Sequence, residues 1–367
     1  MDHCFNSLQA RVSSWKSSWR ETALFSLLFL LIACSHLPRE HHRSCPEHLR
    51  EIDWVVGKSD LNLPSIRSSF KEDGFVVVRG ALPEQVVDEL QRRFPRYNTW
   101  ASAPLEWLVA NSLRQFATLD GLWILDDLFW QVWTRSLIPS LLSNIMEVEG
   151  FKTSDIRLLT DYVVGIKAGG SGPEVIGKYH MDSTSFDVVD TAGFSVWIPL
   201  MDIDSSLGGS IFTIGRQNVN LGCLHSDRTY NESCILEFEA TKSVASYARG
   251  DILLFSHDTV HKTQPLPKHV AQVPWRYALI GRFVAGETSR WKAPMLGPPQ
   301  RKNSCKADGV TEISAGALLH SPCFPTIWPS TGAHAESSRA QGELRRDSRA
   351  VAFSKIIRGF LYTKDYY

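Results

Sequence analysis

The chain carries no surplus charge of either sign: 39 lysines and arginines balance 39 aspartates and glutamates, for a net charge of +0. That balance gives no basic surface on which a nucleic acid would collect, so no nucleic-acid partner is expected. Among its seven cysteines there is no CxxC pair and no zinc-type spacing, which argues against a cysteine-ligated zinc site. The odd count leaves at least one thiol unpaired. Cys223 and Cys234 could bridge across a loop, as could Cys305 and Cys323, but free buried thiols are the preferred reading. There is no internal repeat. Nor is there an apolar run of the ~20 residues that a membrane-spanning helix needs.

The run "ALFSLLFLLIAC" (23–34) is too short for a comfortable span. It follows Arg11, Lys16 and Arg20 and ends near the small residues Ala33 and Ser35, a pattern that fits a secretory signal. A cleaved signal or a short anchor would place the protein in the endomembrane or secretory pathway, with membrane association through 23–34. A buried helix would leave it cytoplasmic, although the charged stretch at 39–44 argues against burial. Asn231-Glu232-Ser233 is a glycosylation sequon, which matters only in a secretory lumen.

What is present is enough for a real core: 43% hydrophobic residues, with 12 Trp and 18 Phe in 367 residues. That length is long for one domain and short for two. Residues 1–50 read as a targeting segment and linker, 51–330 as one domain, and 331–367 as a largely disordered polar tail. "GFVVVRG" (74–80) reads as a strand. Pro83 then suits the first turn of a helix whose apolar face is Val86, Val87, Leu90 and Phe94. Residues 105–147 read as helices flanking a sheet. From about 156 the chain breaks into short, turn-bounded, β-rich pieces, which suggests a sandwich or barrel. The Pro- and Gly-rich piece at 290–330 is expected to wrap that sheet.

Within the β-rich part, "YHMDS" (179–183) places His180 two residues before Asp182. On an extended chain such residues point to one side, so a strand end would deliver both. Further on, "GDILLFSHDTVHKT" (250–263) supplies His257 and His261. Two histidines and one carboxylate on a β scaffold form the ligand set of a non-haem Fe(II) site with open positions. A second His-x-Asp, at His225 and Asp227, sits in a turn-rich loop and is set aside. A buried 2-oxo acid needs a cation, and Arg offers a two-pronged grip. Arg276 and Arg282 share one strand face but lie ~20 Å apart at 3.3 Å per residue. One is expected to reach the cofactor and the other not. Arg276, nearer the His261 end, is the choice.

Together these pieces resemble the phytanoyl-CoA dioxygenase family of Fe(II)- and 2-oxoglutarate-dependent oxygenases. The resemblance runs over roughly 65–330, through "DGFVVVRGALPEQVVDEL", "YHMDS", "VWIPLMDIDSSLGGSIFTIG", "GDILLFSHDTVHKT" and "RYALIGRF". It implies a mainly β fold with flanking helices, a double-stranded β-helix (jelly-roll, cupin-like) barrel. It implies His180, Asp182 and His261 as catalytic iron ligands, with His257 behind them. It also implies Arg276 and Thr263 on the 2-oxoglutarate carboxylate, and Trp197 and Met181 as pocket walls. Fe(II), 2-oxoglutarate and ascorbate as reductant are the implied cofactors, with O2 and a small organic or lipid-like molecule as substrates. Succinate and CO2 are the implied by-products.

Two features depart from the family pattern. Gly215-Arg216-Gln217 stands where a Gly-Ser-His turn is usual, and the stretch between His261 and Arg276 is longer. Related halogenases replace the carboxylate ligand with a small residue. Asp182 is retained here, so hydroxylation is the expected outcome. The competing readings are a non-catalytic barrel, which would have lost a ligand, and a cupin-like metalloenzyme that does not use 2-oxoglutarate.

Overall fold

The computed structural model describes residues 62–97, 116–151, 155–169, 177–184, 188–189, 193–219, 221–223, 230–268, 275–291 and 324–328, with positions 49, 54, 316, 318 and 319. All of these belong to the unit Glu40–Tyr367. The run 23–34, the tail from 331, the second His-x-Asp at 225–227, and Cys305 and Cys323 lie outside the described residues. Among the described residues no helix is long and apolar enough to cross a membrane.

The first elements are α1 (Leu63–Asp73), β1 (Phe75–Val78) and α2 (Glu84–Tyr97). The Asn62 side chain caps α1 by accepting from the Ser65 amide at 3.1 Å. Gly74, at φ 80°, ends it in the left-handed conformation that a Cβ would disfavour. Pro83 lies just before α2 and offers its carbonyl to the Val86 amide at 3.0 Å. Val86, Val87, Leu90 and Phe94 are no more than 1% exposed. Burying each such side chain is worth about 1.5–3 kcal/mol, which is what holds the helix on the sheet.

Next come β2 (Phe116–Asp120), α3 (Leu122–Leu125), α4 (Asp127–Arg135) and α5 (Ile138–Val148). Here the expectation of helices throughout 105–147 is corrected. Phe116–Asp120 is a strand, paired from Phe116↔Ile166 to Asp120↔Tyr162. Five residues are too few to display a period, and pairing with a long neighbouring strand decides their state. Asp126 caps α4 through the Leu128 amide and takes the Arg93 guanidinium on both oxygens, at 2.6 and 2.7 Å. That buried pair ties α2 to α4.

The remaining elements are β3 (Ile156–Lys167), β4 (Val188–Val189), β5 (Gly193–Pro199), β6 (Ile211–Thr213), α6 (Glu232–Thr241), β7 (Ser243–Val244), β8 (Ile252–Ser256), β9 (His261–Thr263), β10 (Trp275–Ala285), β11 (Arg290–Trp291) and β12 (Thr326–Trp328). The major sheet runs β1-β8-β5-β10-β3-β12, with β2 also paired to β3. A smaller sheet runs β7-β6-β9, and β11 pairs with β4. The piece after 290, expected to wrap the sheet, adds β12 to its edge.

Alternation along the strands gives the major sheet two different faces. Val76, Val78, Phe194, Val196, Ile198, Ile252, Leu254, Leu279 and Phe283 join the helices in one core. Their neighbours Phe75, Val77, Trp197, Leu253, Phe255 and Ala278 pack on the other side, facing the barrel interior. The result is the expected double-stranded β-helix: a curled antiparallel sheet, a smaller sheet, and helices covering the outside.

Candidate metal centre and cofactor pocket

His180, Asp182 and His261 come together. One ligand atom from each lies within 4.8 Å of the others. The Nε2 atoms of His180 and His261 stand 4.0 and 3.8 Å from Asp182 Oδ1. The two histidines, far apart in sequence, face each other in a main-chain bridge: His180 N donates to His261 O and His261 N to His180 O, both at 2.9 Å.

Asp182 is delivered differently from the expectation. The chain does not continue as a strand from His180. Asp182 opens a 3-10 turn, Asp182–Thr184, and that turn is held by the Ser183 amide donating to the His257 carbonyl at 2.9 Å. His257 therefore serves the site through its backbone and is not in the cluster. Its ring lies on the Gly193 backbone, where an added Cβ would fall 1.8 Å from Nδ1.

The imidazoles are set up as ligands. His180 Nδ1 is 2.9 Å from the Lys178 carbonyl and His261 Nδ1 is 2.9 Å from the Thr259 carbonyl. A carbonyl only accepts, so each Nδ1 carries the proton and each Nε2 lone pair faces inward. Burial lowers the His180 pKa, and burial with the neighbouring His180 ring pushes His261 down to about 4. Burial also pushes His257 down to about 3. For Asp182 burial works against ionisation, but the Arg282 guanidinium together with the neighbouring His261, His180 and His257 rings outweighs it and holds the carboxyl well below the usual carboxylate range. At neutral pH the cluster is two neutral imidazoles and a carboxylate, the protonation state a divalent ion requires.

Arg276 is a deeply buried cation that could take an anion. It is 2% exposed, and its Nε and Nη1 have no hydrogen-bond partner among the described residues. Burial alone pulls its pKa down to about 9. A charged group left like this is costly unless an anion joins it, and a carboxylate of 2-oxoglutarate would complete it. Its side chain runs past Gly209, with Nε 3.6 Å from where a Cβ would sit. Thr263, two residues after His261 and so on the same side of β9, is 6% exposed. Met181 packs on a small core of Tyr179, Ile214, Tyr230, Phe238 and Val260.

Arg282, the arginine not expected at the cofactor, contacts the metal cluster, with Nη2 3.0 Å from Asp182 Oδ1. The metal cluster lies at the Arg282 end of β10. Ser195, on β5, also went unnoticed in the sequence, yet its hydroxyl donates to Asp182 Oδ2 at 2.6 Å. No local motif marks it. Its role follows from the pairing Arg282↔Ser195 across β10 and β5. Free thiols at 223 and 234 are corrected: Cys223 and Cys234 form a disulfide. The unusual turn at 215–217 is also explained. Arg216 grips the carboxylate of Glu149, the residue that follows α5, at 2.9 and 3.0 Å, and Gln217 Nε2 donates to Asp73 of α1 at 3.1 Å.

Comparison with known proteins agrees with this architecture. The family model for phytanoyl-CoA dioxygenase (PhyH) matches residues 70–266, more than half of the chain. The protein belongs to the phytanoyl-CoA dioxygenase family. The match spans all three clustered residues and stops short of β10. Among solved structures, SnoN, a non-heme α-ketoglutarate-dependent epimerase of nogalamycin biosynthesis, is similar at 17% identity, with a TM-score of 0.51 over 72% of this chain and 98% of that one. SnoN in complex with Fe3+, α-ketoglutarate and nogalamycin RO gives a TM-score of 0.52 at 17% identity, again over 72% and 98%. The carbocyclase SnoK of the same biosynthesis scores 0.46 at 15% identity, over 73% and 97%. No curated protein matches the chain. The likeness to SnoN is one of fold.

Proposed function

We propose that this protein is an Fe(II)- and 2-oxoglutarate-dependent dioxygenase that hydroxylates a small organic or lipid-like substrate. The observation that carries the reading is the buried cluster of His180, Asp182 and His261, three donors gathered on one side with their lone pairs inward. Such a set fits Fe(II) and leaves coordination positions for a bidentate 2-oxo acid and O2. The buried guanidinium of Arg276, whose Nε and Nη1 lack a hydrogen-bond partner among the described residues, fits the remote carboxylate of 2-oxoglutarate, with Thr263 as a further donor. That pairing argues against a metalloenzyme that ignores 2-oxoglutarate.

When bound, iron and 2-oxoglutarate supply the oxidising power for hydroxylation, with succinate and CO2 as by-products. The protein's own residues bind and orient. His180, Asp182 and His261 hold the ion. Arg276 and Thr263 fix the far end of 2-oxoglutarate, and Trp197 backs Arg276. The carboxylate at 182 supports hydroxylation over halogenation, since it stands at the ligand position that a halide would otherwise take. Tyr162 and Ile280 are partly buried apolar surface on the barrel side, in keeping with an apolar substrate. The catalytic domain is taken to span 51–330.

The test is a succinate-release screen of the full chain with Fe(II), 2-oxoglutarate and ascorbate against acyl-CoA, free lipid and amino-acid panels, with 18O2 to follow oxygen. Substrate-dependent succinate and a labelled hydroxyl group are expected, both lost in Asp182→Ala and His261→Ala. Parent-rate turnover in either variant would overturn the assignment. SnoN is an epimerase on this fold, so succinate without label in the product would redirect the reading to an oxidative rearrangement.

A further inference from the structure

Arg282 is the buried cation that the ligand set does not account for. Its side chain is 12% exposed and its Nη2 lies 3.0 Å from Asp182 Oδ1. Its Nε donates to the Tyr162 hydroxyl at 2.9 Å and its Nη2 bonds the same oxygen. The guanidinium carbon also sits 5.2 Å from the Tyr162 ring centroid, so the group is held along an edge and across a face. On the other side of the carboxylate, the Ser195 hydroxyl holds Oδ2 at 2.6 Å. Ser195 and Arg282 are direct partners across β5 and β10. One rung of the sheet thus grips both oxygens of the only carboxylate in the cluster.

We infer that Arg282 is a positioning residue for the metal ligand Asp182, with Ser195 as its counterpart and Tyr162 as its brace. Ser195 occupies Oδ2, which leaves Oδ1 to face the two imidazoles. Arg282 fixes the angle at which Oδ1 is presented. A carboxylate restrained this way ligates through one oxygen and leaves a coordination position open. The turn that Asp182 opens is held through the Ser183 amide, a backbone bond that leaves the carboxylate torsions unset, so without the clamp the side chain would be free to rotate away from the Nε2 atoms or to chelate with both oxygens.

A simpler role would be charge compensation, with the guanidinium offsetting a buried anion. The two roles predict opposite effects on an added dication. Removing a mere counter-charge takes a repulsive cation away from the ion and tightens binding. Removing a positioning group loosens it, because partners behind a metal ligand are typically worth 10–100-fold in affinity.

This inference rests on the proposed metal site, and the test separates the two. Mn2+ alone is used as the probe, with the full chain and binding followed by the EPR signal of free Mn2+. Wild type, Asp182→Ala, Arg282→Gln, Arg282→Lys and Tyr162→Phe are compared, with far-UV circular dichroism as the folding control. Arg282→Gln is expected to weaken Mn2+ binding about tenfold or more. Arg282→Lys and Tyr162→Phe should shift affinity in the same direction by less. Co2+-loaded Arg282→Lys should show an altered d–d absorption band, which a change in carboxylate denticity produces. Mn2+ binding by Arg282→Gln that equals or exceeds wild type overturns the positioning role alone. If Arg282→Gln does not fold, Arg282→Lys and Tyr162→Phe decide by the same sign. Wild type that does not bind Mn2+, or Asp182→Ala that binds it as well as wild type, overturns the metal site and this inference together.

Discussion

The guanidinium carbon of Arg276 lies 5.5 Å from the centroid of the Trp197 ring. A buried cation resting on an aromatic face keeps part of its stabilisation without an anion. Its Nε and Nη1 have no hydrogen-bond partner among the described residues.

The first prediction follows from that arrangement. Arg276→Met should weaken 2-oxoglutarate binding by about 30-fold or more, since losing one side of a buried charge pair costs about 2–5 kcal/mol. The ligand-free variant should melt at a higher temperature than the parent, because a desolvated, unpartnered charge has been removed. Isothermal titration and thermal melting of the same samples check both halves. A lower melting temperature for ligand-free Arg276→Met would mean that the guanidinium has a structural partner.

His257 carries a prediction about pH. Burial pushes its folded pKa from 6.5 down to about 3. Between those values the unfolded chain holds a proton that the folded chain does not, so stability rises with pH across that window and is lost as pH falls. The slope from this one group is about 1.4 kcal/mol per pH unit. Urea titrations of the metal-free protein from pH 4 to 7 should show a slope of at least this size, since the lowered His180 and His261 add to it with the same sign, and His257→Asn should remove the share of His257.

Gly193 sits where the His257 ring meets the β5 backbone. Gly193→Ala puts a Cβ 1.8 Å from Nδ1, a clash that only movement of the ring or strand relieves. Overpacking of this kind costs about 1–3 kcal/mol. Because the His257 carbonyl holds the Asp182–Thr184 turn, Mn2+ affinity should fall together with stability. A melt and a Mn2+ titration test the coupling.

The disulfide between Cys223 and Cys234, 11 residues apart, belongs to a small core that flanks both histidine ligands. Tyr179 of that core precedes His180, and Val260 precedes His261. Tyr179 and Phe238 stand edge to face at 5.3 Å. Serine at both cysteine positions should cost about 2–3 kcal/mol, the range for a loop of this length. Denaturant melts with and without reductant check it: reductant should destabilise the parent and leave the double variant unchanged.

The amphipathic helix at 84–97 was legible because one face is buried and the other is wet, so apolar residues recur with a helical period. The central strands carried less signal. All seven residues of β5 are buried, and a strand covered on both faces shows no alternation. The residues His180, Asp182 and His261 could be picked out because their types are few and their flanking pattern is distinctive. Ser195 could not, since a serine in an apolar strand has no local mark and its role depends on which strand lies beside it. Arg282 is visible in the sequence, but distance along one strand does not say where the cluster lies, which depends on the neighbouring strands and on the 3-10 turn. Phe116–Asp120 carries no strand signal of its own, because its state comes from pairing with β3 and not from its own five residues.

The paired backbone bonds between His180 and His261 have a consequence of their own. Two of the three attachment points are spaced by peptide groups, whose geometry is the same whatever side chains they carry. Replacing either imidazole alters the chemistry at that point while leaving the mounting in register. The barrel is in that sense a socket whose prongs can be exchanged, and small side chains at 180 or 261 should yield vacancies that an added imidazole can refill.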